Sequence, residues 1–398
     1  MRVLQVNAVY GVGSTGTIVK DISDMLIQNG AESYVAYQTA LTTPQNGFRI
    51  GNKLDWKLHA LLSRVFGKQA YFSKRATKKF LKWVEKIKPD VVHLHNLHSN
   101  YINLNMLLAY LAKEDIPTVI TLHDCWYFTG KCFHYIDVNC ERFKNGCGKC
   151  PKKKEAPCSF FRDASASVLK DRENLFSKIR RLKIVGCSQW ICDEAKKGIF
   201  KDFDIWRIYN GVDTEIFKPK DVDVLRNNYD FKDAFVVLGM ANKWLLPANR
   251  DLLKAISKTL DKKNKLLLIG CSEKEKKFLK TLNENIIPIG YIQNRKILAG
   301  HYNLADVFVN VTHADTSPTV NMESICCGTQ VITYASCGSP ELVLEGCGIV
   351  VQEGDVEGVI RAIERVRTGG TVDCSSKGKE AFNKKENYKK YLNVYRTI

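Results

Sequence analysis

A chain of 398 residues, 45% hydrophobic and 26% charged, is globular and long enough to hold two cores of ordinary size. No apolar run reaches the roughly 18 residues that a membrane-spanning helix needs, and the opening MRVLQVNAVYGVG reads as a buried strand entering a glycine turn and not as an export signal, so a cytoplasmic protein is expected. The formal charge of +18 points to anionic partners (nucleotide diphosphates, phospholipid headgroups or nucleic acid), and 14 cysteines in a chain that is not exported point to reduced thiols or metal ligands.

In chain order, apolar runs at 3–9, 33–37, 90–94, 118–122, 183–187 and 206–209 read as buried strands. Amphipathic stretches separate them, such as 17–28 with Ile18, Ile22, Met25 and Leu26 on one face. Residues 56–72 carry Trp56, Leu58, Leu61, Leu62, Phe66, Tyr71 and Phe72 among basic residues and run on into the lysine-rich 73–88. This basic amphipathic segment suits an anionic membrane surface, or else a core-packing helix with a solvated basic face. After Phe217-Lys218-Pro219 the alternation restarts, with strands at 234–240, 265–269, 286–289, 307–311 and 330–334 and a helix at 250–259. Such alternation predicts α/β architecture with doubly wound parallel sheets. Two Rossmann-like domains are expected, at 1–215 and 216–378, followed by a helical tail at 379–398 that packs back toward the first domain. Residues 125–158, dominated by Cys, Gly and Lys, interrupt the first domain as an insertion.

Gly11-Val12-Gly13-Ser14-Thr15-Gly16 follows the first strand and opens a helix. Glycines there let a backbone approach a phosphate at a helix N-terminus. A nicotinamide-binding reading, as in a sugar-nucleotide epimerase or oxidoreductase, also needs an acid ending the second strand, where Val35-Ala36-Tyr37-Gln38 has none. The loop equally suits a phosphate or acceptor sugar, or a plain tight turn.

In the second half, Asp315 opens a loop that runs through Ser317, Thr319 and Val320 into a helix carrying Glu323. The amides of residues 317–320 face outward there, with the helix dipole behind them, and suit a phosphate. Glu323 suits a ribose diol, and Asp315 the hydroxyls of a sugar. Phosphate on amides and hydroxyls on acids is what a nucleotide-sugar requires.

This stretch resembles the E-x7-E motif of family 4 retaining glycosyltransferases, with the run Glu323-Ser324-Ile325-Cys326-Cys327-Gly328-Thr329-Gln330-Val331-Ile332 behind it. His93-Leu94-His95-Asn96-Leu97-His98, Thr121-Leu122-His123-Asp124-Cys125-Trp126, Tyr209-Asn210-Gly211-Val212-Asp213 and Gly338-Ser339-Pro340-Glu341 are also similar to that family, in particular to its bacterial polysaccharide-assembly members. The resemblance implies a GT-B fold of two facing Rossmann-like domains, the second binding the donor. It implies transfer from a nucleotide-diphosphate sugar to a glycan or polyprenyl-linked acceptor, with no catalytic cofactor and at the inner face of the cytoplasmic membrane. It places His123 by the donor sugar, Lys243 and Arg250 on the diphosphate, Asp315 on the sugar and Glu323 on the ribose, with Gly290 and Tyr291 completing the donor side. Gly11, Gly13, Ser14, Gly16 and His95 then belong to the acceptor and phosphate side. Two departures stand out: Asp315 is one methylene shorter than the usual Glu, and the Lys243–Arg250 spacing is long.

Cys132, Cys140, Cys147 and Cys150 give C-x7-C-x6-C-x2-C, a pattern open to structural zinc, free thiols or a local disulfide. A basic, cysteine-rich nucleic-acid-binding protein would share the charge and the knuckle, but it leaves the 315–323 motif unexplained, so nucleic acid is not expected as a partner.

Overall fold

The computed structural model describes residues 1–398 as two compact units, Met1–Asn210 with Lys385–Ile398, and Gly211–Lys384. The chain leaves the first unit at 210 and re-enters it at 385.

The first unit is built on a parallel sheet of seven strands in the order Gly47–Arg49, Glu32–Tyr37, Arg2–Val6, Val91–Leu94, Thr118–Leu122, Leu182–Gly186, Ile205–Arg207. Its central strands are buried on both faces, which is why they read as unbroken apolar runs. Consecutive residues alternate sides: Leu4, Val92 and Ile120 enter one core and Val3, Val91 and Val119 the other. The second core is closed by helix Gly13–Gln28 and by helix Lys384–Arg396, whose Tyr388, Tyr391 and Tyr395 are all buried. The Tyr395 hydroxyl meets His93 Nδ1 at 2.7 Å and the Tyr391 hydroxyl meets Thr121 Oγ1 at 2.9 Å. The tail therefore satisfies polar groups that the sheet itself buries.

The basic segment at 56–88 is two helices and not one. Lys53–Phe66 stops at Gly67, whose φ of 69° closes it in the left-handed conformation, and Lys74–Ile87 begins anew. The second helix buries Ala76, Thr77, Phe80 and Val84, so its apolar face belongs to the core and its charged residues face water. The first leaves Leu54, Leu58 and Leu61 more than half exposed, with Phe66 at 42%.

The second unit carries six parallel strands in the order Ile286–Ile289, Asn264–Ile269, Phe235–Met240, Val307–Asn310, Gln330–Tyr334, Gly348–Val351. The chain starts at Phe235–Met240, builds outward to Ile286–Ile289, then crosses back to lay Val307–Asn310 against the other side of Phe235–Met240. In a doubly wound sheet that reversal opens a crevice at the carboxyl ends of the two strands. The segments leaving them are 241–250 and 311–320. Gly239 is required here for close approach: a Cβ on it would lie 2.1 Å from the indole nitrogen of Trp244, which donates to the Val309 carbonyl at 2.9 Å.

Candidate active site

In the second unit, helix Thr319–Cys326 points its N-terminus into the crevice, with Pro318 as N-cap and no side chain capping it. The N–H groups of Thr319 and Val320 precede the first intrahelical bond and are open to an anion. Ser317 was expected to offer its amide as well. Its N–H is instead held by the Asp315 carboxylate at 3.2 Å, and Pro318 has none to give, so the amide cradle is confined to Thr319 and Val320.

Around this helix end, Thr316 Oγ1, Ser317 Oγ, Ser339 Oγ and Asn321 Nδ2 are buried without a hydrogen-bond partner. The Ser339 loop is tied to the motif by the Gly338 N–H, which donates to the Asp315 carbonyl at 3.1 Å. Orphaned buried hydroxyls are rare in folded proteins, and a cluster of them beside free amides marks a place built for an oxygen-rich ligand.

Glu323 lies one turn into the same helix and is buried. One carboxylate oxygen accepts from the Tyr302 hydroxyl at 3.1 Å, and the other faces Arg295 Nη2 at 3.5 Å. Burial raises its carboxyl from about 4.5 to about 7, against the opposing pull of Arg295 and Tyr302. Arg295 in turn lies over the Phe217 ring. Neither Arg295 nor Tyr302 carries a sequence signal, since both come from a helix 21 or more residues upstream. Tyr291 stands on the neighbouring loop after Gly290 and is 81% exposed, its ring open for stacking.

Lys243 sits in the short helix Ala241–Trp244, and Arg250 begins helix Arg250–Thr259. Neither is committed to a carboxylate. The long spacing is accommodated by the turn Pro247–Asn249, and buried Asn249 fixes it in place. The Asn249 amide donates to the Lys243 carbonyl at 2.9 Å and to the Val311 carbonyl at 2.8 Å, and its oxygen faces His313 Nε2 at 2.9 Å. The other His313 nitrogen meets Glu353 at 2.7 Å, so the ring is held at both nitrogens. Asn249 and His313 thus seat the basic loop beside the acidic motif. Single-sequence reading missed them because their pairing spans the crevice.

In the first unit, Gly11 and Gly13 take φ of 68° and 62°, and the Gly11 N–H closes the loop on the Gly16 carbonyl at 2.8 Å. Ser14 is exposed on the first turn of helix Gly13–Gln28, which has neither a side-chain cap nor an acid in its first turn. The second strand ends at Tyr37 without an acid, as a nicotinamide site would not.

His123 leaves the end of strand Thr118–Leu122, and its Nε2 meets His95 Nδ1 at 3.0 Å. Neighbouring hydrogen bonds set the tautomers. The Gln5 amide nitrogen donates to the Val19 carbonyl, so its oxygen faces His95 Nε2 at 3.2 Å, and that nitrogen carries the proton. His95 Nδ1 is therefore the acceptor, His123 Nε2–H the donor, and His123 Nδ1 is left as a bare acceptor. Burial holds His123 neutral, with its proton affinity lowered to about 4. His95 itself has no exposed surface, which corrects its expected place lining the acceptor side: it reaches a ligand only through His123. Beside it, His98 Nε2 pairs with Asp124 at 3.0 Å.

No group of three or more histidine, cysteine or carboxylate side chains is gathered in a ready-made metal site, Cys132, Cys140, Cys147 and Cys150 included.

A family model described as Glycosyltransferase Family 4 matches residues 15–216, and one described as Glycosyl transferases group 1 matches residues 235–368. Over 423 aligned residues covering 100% of both chains, the protein is 23% identical to the colanic acid biosynthesis glycosyl transferase WcaC of Escherichia coli (strain K12). Among solved structures, sucrose-phosphate synthase from Thermosynechococcus elongatus matches with a TM-score of 0.69 at 15% identity, over 99% of this chain and 98% of that one. Anabaena Alr3699/HepE, solved in complex with UDP and glucose, matches with a TM-score of 0.66 at 15% identity over 100% of both chains. These likenesses establish the GT-B fold class for the two doubly wound units.

Proposed function

The chain belongs to glycosyltransferase family 4, and from that premise we propose that it is a retaining hexosyltransferase. It moves a sugar from a nucleoside-diphosphate sugar to a glycan or polyprenyl-linked acceptor in the assembly of a bacterial surface polysaccharide. The observation that carries this reading is the end of helix Thr319–Cys326, where two free amides and orphaned Thr316, Ser317 and Ser339 hydroxyls stand within a turn of the buried Glu323 carboxylate. The UDP complex of HepE and the role named for WcaC support a uridine diphosphate sugar and an exopolysaccharide product. The family match sets aside the nicotinamide and nucleic-acid readings.

In this mechanism the diphosphate lies on the Thr319 and Val320 amides with Lys243 and Arg250 on its other side, and Glu323 accepts from the ribose diol. In the second unit Asp315 accepts from sugar hydroxyls, and in the first unit the bare Nδ1 of His123 is an acceptor of the same kind. The bond from the anomeric carbon to the diphosphate oxygen breaks as the acceptor oxygen attacks from the same face, and the departing oxygen takes the acceptor's proton. Stabilisation of leaving-group charge and positioning supply the rate. No residue here acts as a covalent nucleophile, and no metal takes part.

No helix is long and apolar enough to cross a membrane. Peripheral contact with an anionic inner leaflet is part of this reading, through helix Lys53–Phe66. Its exposed Leu54, Leu58 and Leu61 lie among Lys53, Lys57 and Arg64, and exposed Phe160 and Phe161 adjoin its end, where the Phe160 N–H donates to the Arg64 carbonyl at 2.7 Å. Leu58→Asp with Leu61→Asp is expected to abolish sedimentation with anionic vesicles and to leave donor binding intact.

The deciding experiment is binding and turnover across a panel of UDP-, GDP- and ADP-sugars, with Glu323→Ala alongside. One nucleotide series is expected to bind and to be lost in the variant. Full donor turnover by Glu323→Ala rejects the site.

A further inference from the structure

The loop between strand Val91–Leu94 and helix Leu104–Lys113 leaves the carboxyl edge of the first unit's sheet, beside the segment that leaves strand Thr118–Leu122. Ligands of α/β sheets bind at this edge. Leu97 and Tyr101 are buried and pin the loop, and the Tyr101 hydroxyl donates to the Asn96 carbonyl at 3.1 Å. Between these two anchors His98, Ser99 and Asn100 reach the surface. Ser99 takes φ of 93° and Asn100 φ of 61°. Asparagine tolerates the left-handed region, but serine enters it only under strain, and strain of this kind collects where a ligand is held.

The strained turn presents a histidine that a carboxylate has already oriented. Asp124 Oδ1 accepts from the Trp126 N–H at 2.8 Å, which fixes the carboxylate at the start of the turn Cys125–Phe128. Its Oδ2 accepts from His98 Nε2 at 3.0 Å. The ring packs on Trp126 and Phe133, with centroid distances of 5.7 and 4.5 Å. Because the carboxylate only accepts, Nε2 carries a proton, and in the neutral ring Nδ1 keeps its lone pair. That nitrogen meets the Ser99 hydroxyl at 3.3 Å, a long contact for an O–H donor. The His98 and Asp124 side chains are 16% and 14% exposed, so the pair is mostly enclosed and still reaches the surface. His123, which precedes Asp124 and lies within electrostatic range of His98, has the same polarity, with its proton on Nε2 and a bare Nδ1. Lone pairs of this kind are satisfied by hydroxyl groups, whereas an ionised phosphate has no proton to give them.

We propose that His98 and Ser99 form an acceptor subsite. There a hydroxyl of a pyranoside, other than the one that attacks, donates to His98 Nδ1 and accepts from the Ser99 hydroxyl. Asp124 is a positioning residue: it does not touch the sugar, and it keeps His98 in the tautomer that can accept. The inference rests on the glycosyl transfer proposed above and names first-unit side chains that select its acceptor.

Asp124→Asn tests the orientation directly. The amide keeps an oxygen for the Trp126 N–H and turns its own N–H toward His98, which moves the imidazole proton to Nδ1 and removes the lone pair. Nucleotide release is measured with the nucleotide-sugar selected by the panel above. The acceptors are phenyl glycosides of glucose, galactose, mannose, fucose and N-acetylglucosamine. At least one glycoside is expected to accelerate release by the native protein over the rate with water alone. For that glycoside Asp124→Asn and His98→Gln are expected to raise the acceptor KM about tenfold, and Ser99→Ala about threefold. Donor affinity, measured by calorimetry, is expected to be retained. Should Asp124→Asn fail to fold, His98→Gln, which keeps an N–H for Asp124 and lacks Nδ1, decides alone. An acceptor KM unchanged in either of these two variants overturns the inference. So does a parallel loss of donor affinity, which marks a structural role, or a native protein whose nucleotide release no glycoside accelerates. These outcomes leave the donor site standing, whereas a native protein that binds no nucleotide-sugar rejects both.

Discussion

Replacing Glu323 by glutamine separates what this carboxylate costs the fold from what it does for a ligand. In the unfolded chain it titrates near 4.5, in the folded unit near 7, and the rise comes first from burial. A raised folded value means that the native state holds the proton more tightly than the unfolded one. Below about pH 4.5 both states are protonated and the group has no effect. Between pH 4.5 and 7 the unfolded chain ionises first, so stability falls as pH rises, and above 7 the loss is complete. The shift of about 2.5 units corresponds to about 3 kcal/mol at 1.36 kcal/mol per unit. Glu323→Gln cannot ionise, so its stability relative to the native sequence is expected to improve by about 3 kcal/mol between pH 4.5 and pH 8. Urea unfolding of both proteins at the two pH values measures this, and the difference between them cancels every other titrating group. The same variant is expected to lose nucleotide-sugar binding. For the native protein, affinity for a nucleoside-diphosphate sugar, whose diphosphate has no proton to exchange in this range, should fall about tenfold from pH 8 to pH 6. A stability difference that is equal at both pH values refutes the reasoning, whatever happens to binding.

Arg295→Gln removes the cation that opposes protonation of Glu323, so the midpoint of the binding–pH profile is expected to move up by about one unit; an unmoved midpoint means that Arg295 does not act on the carboxylate. Lys243→Ala is expected to lower kcat by about a hundredfold or more with a smaller change in KM, in steady-state assays, because its charge is needed most as the diphosphate departs. Gly239→Ala drives a methyl into the Trp244 indole and is expected to cost about 3 kcal/mol in urea unfolding.

The architecture was legible wherever a strand is buried on both faces. Thr118–Leu122 and Gln330–Tyr334 appear in the sequence with the same bounds as in the fold, and so does the edge strand Ile286–Ile289, whose four residues are all apolar. Gly348–Val351 was not legible: it is an edge strand with Val350 42% exposed, so its pattern resembles a loop. The break at Gly67 was missed because both flanking helices are basic and amphipathic, and only the left-handed glycine divides them. Within the site, residues that belong to one contiguous motif could be read, and residues that meet across the crevice could not. Asn249 with His313, and Arg295 with Glu323, join through tertiary contacts that no local spacing encodes. The amide of Ser317 was misassigned for a related reason, since only the loop conformation shows that Asp315 has already claimed it.

Tyr391 and Tyr395 also set an order of events during synthesis. His93 and Thr121 are translated early, but the hydroxyls that satisfy them arrive 302 and 270 residues later, after the whole of Gly211–Lys384 has been made. Until then that face of the nascent sheet is covered only by helix Gly13–Gln28 and carries two buried-to-be polar groups, while the second unit already has every residue it needs to fold. The protein should therefore mature from the middle of its sequence outward, with the first unit locking last, and a released chain ending at Lys384 should display a protease-sensitive first unit beside a resistant second one.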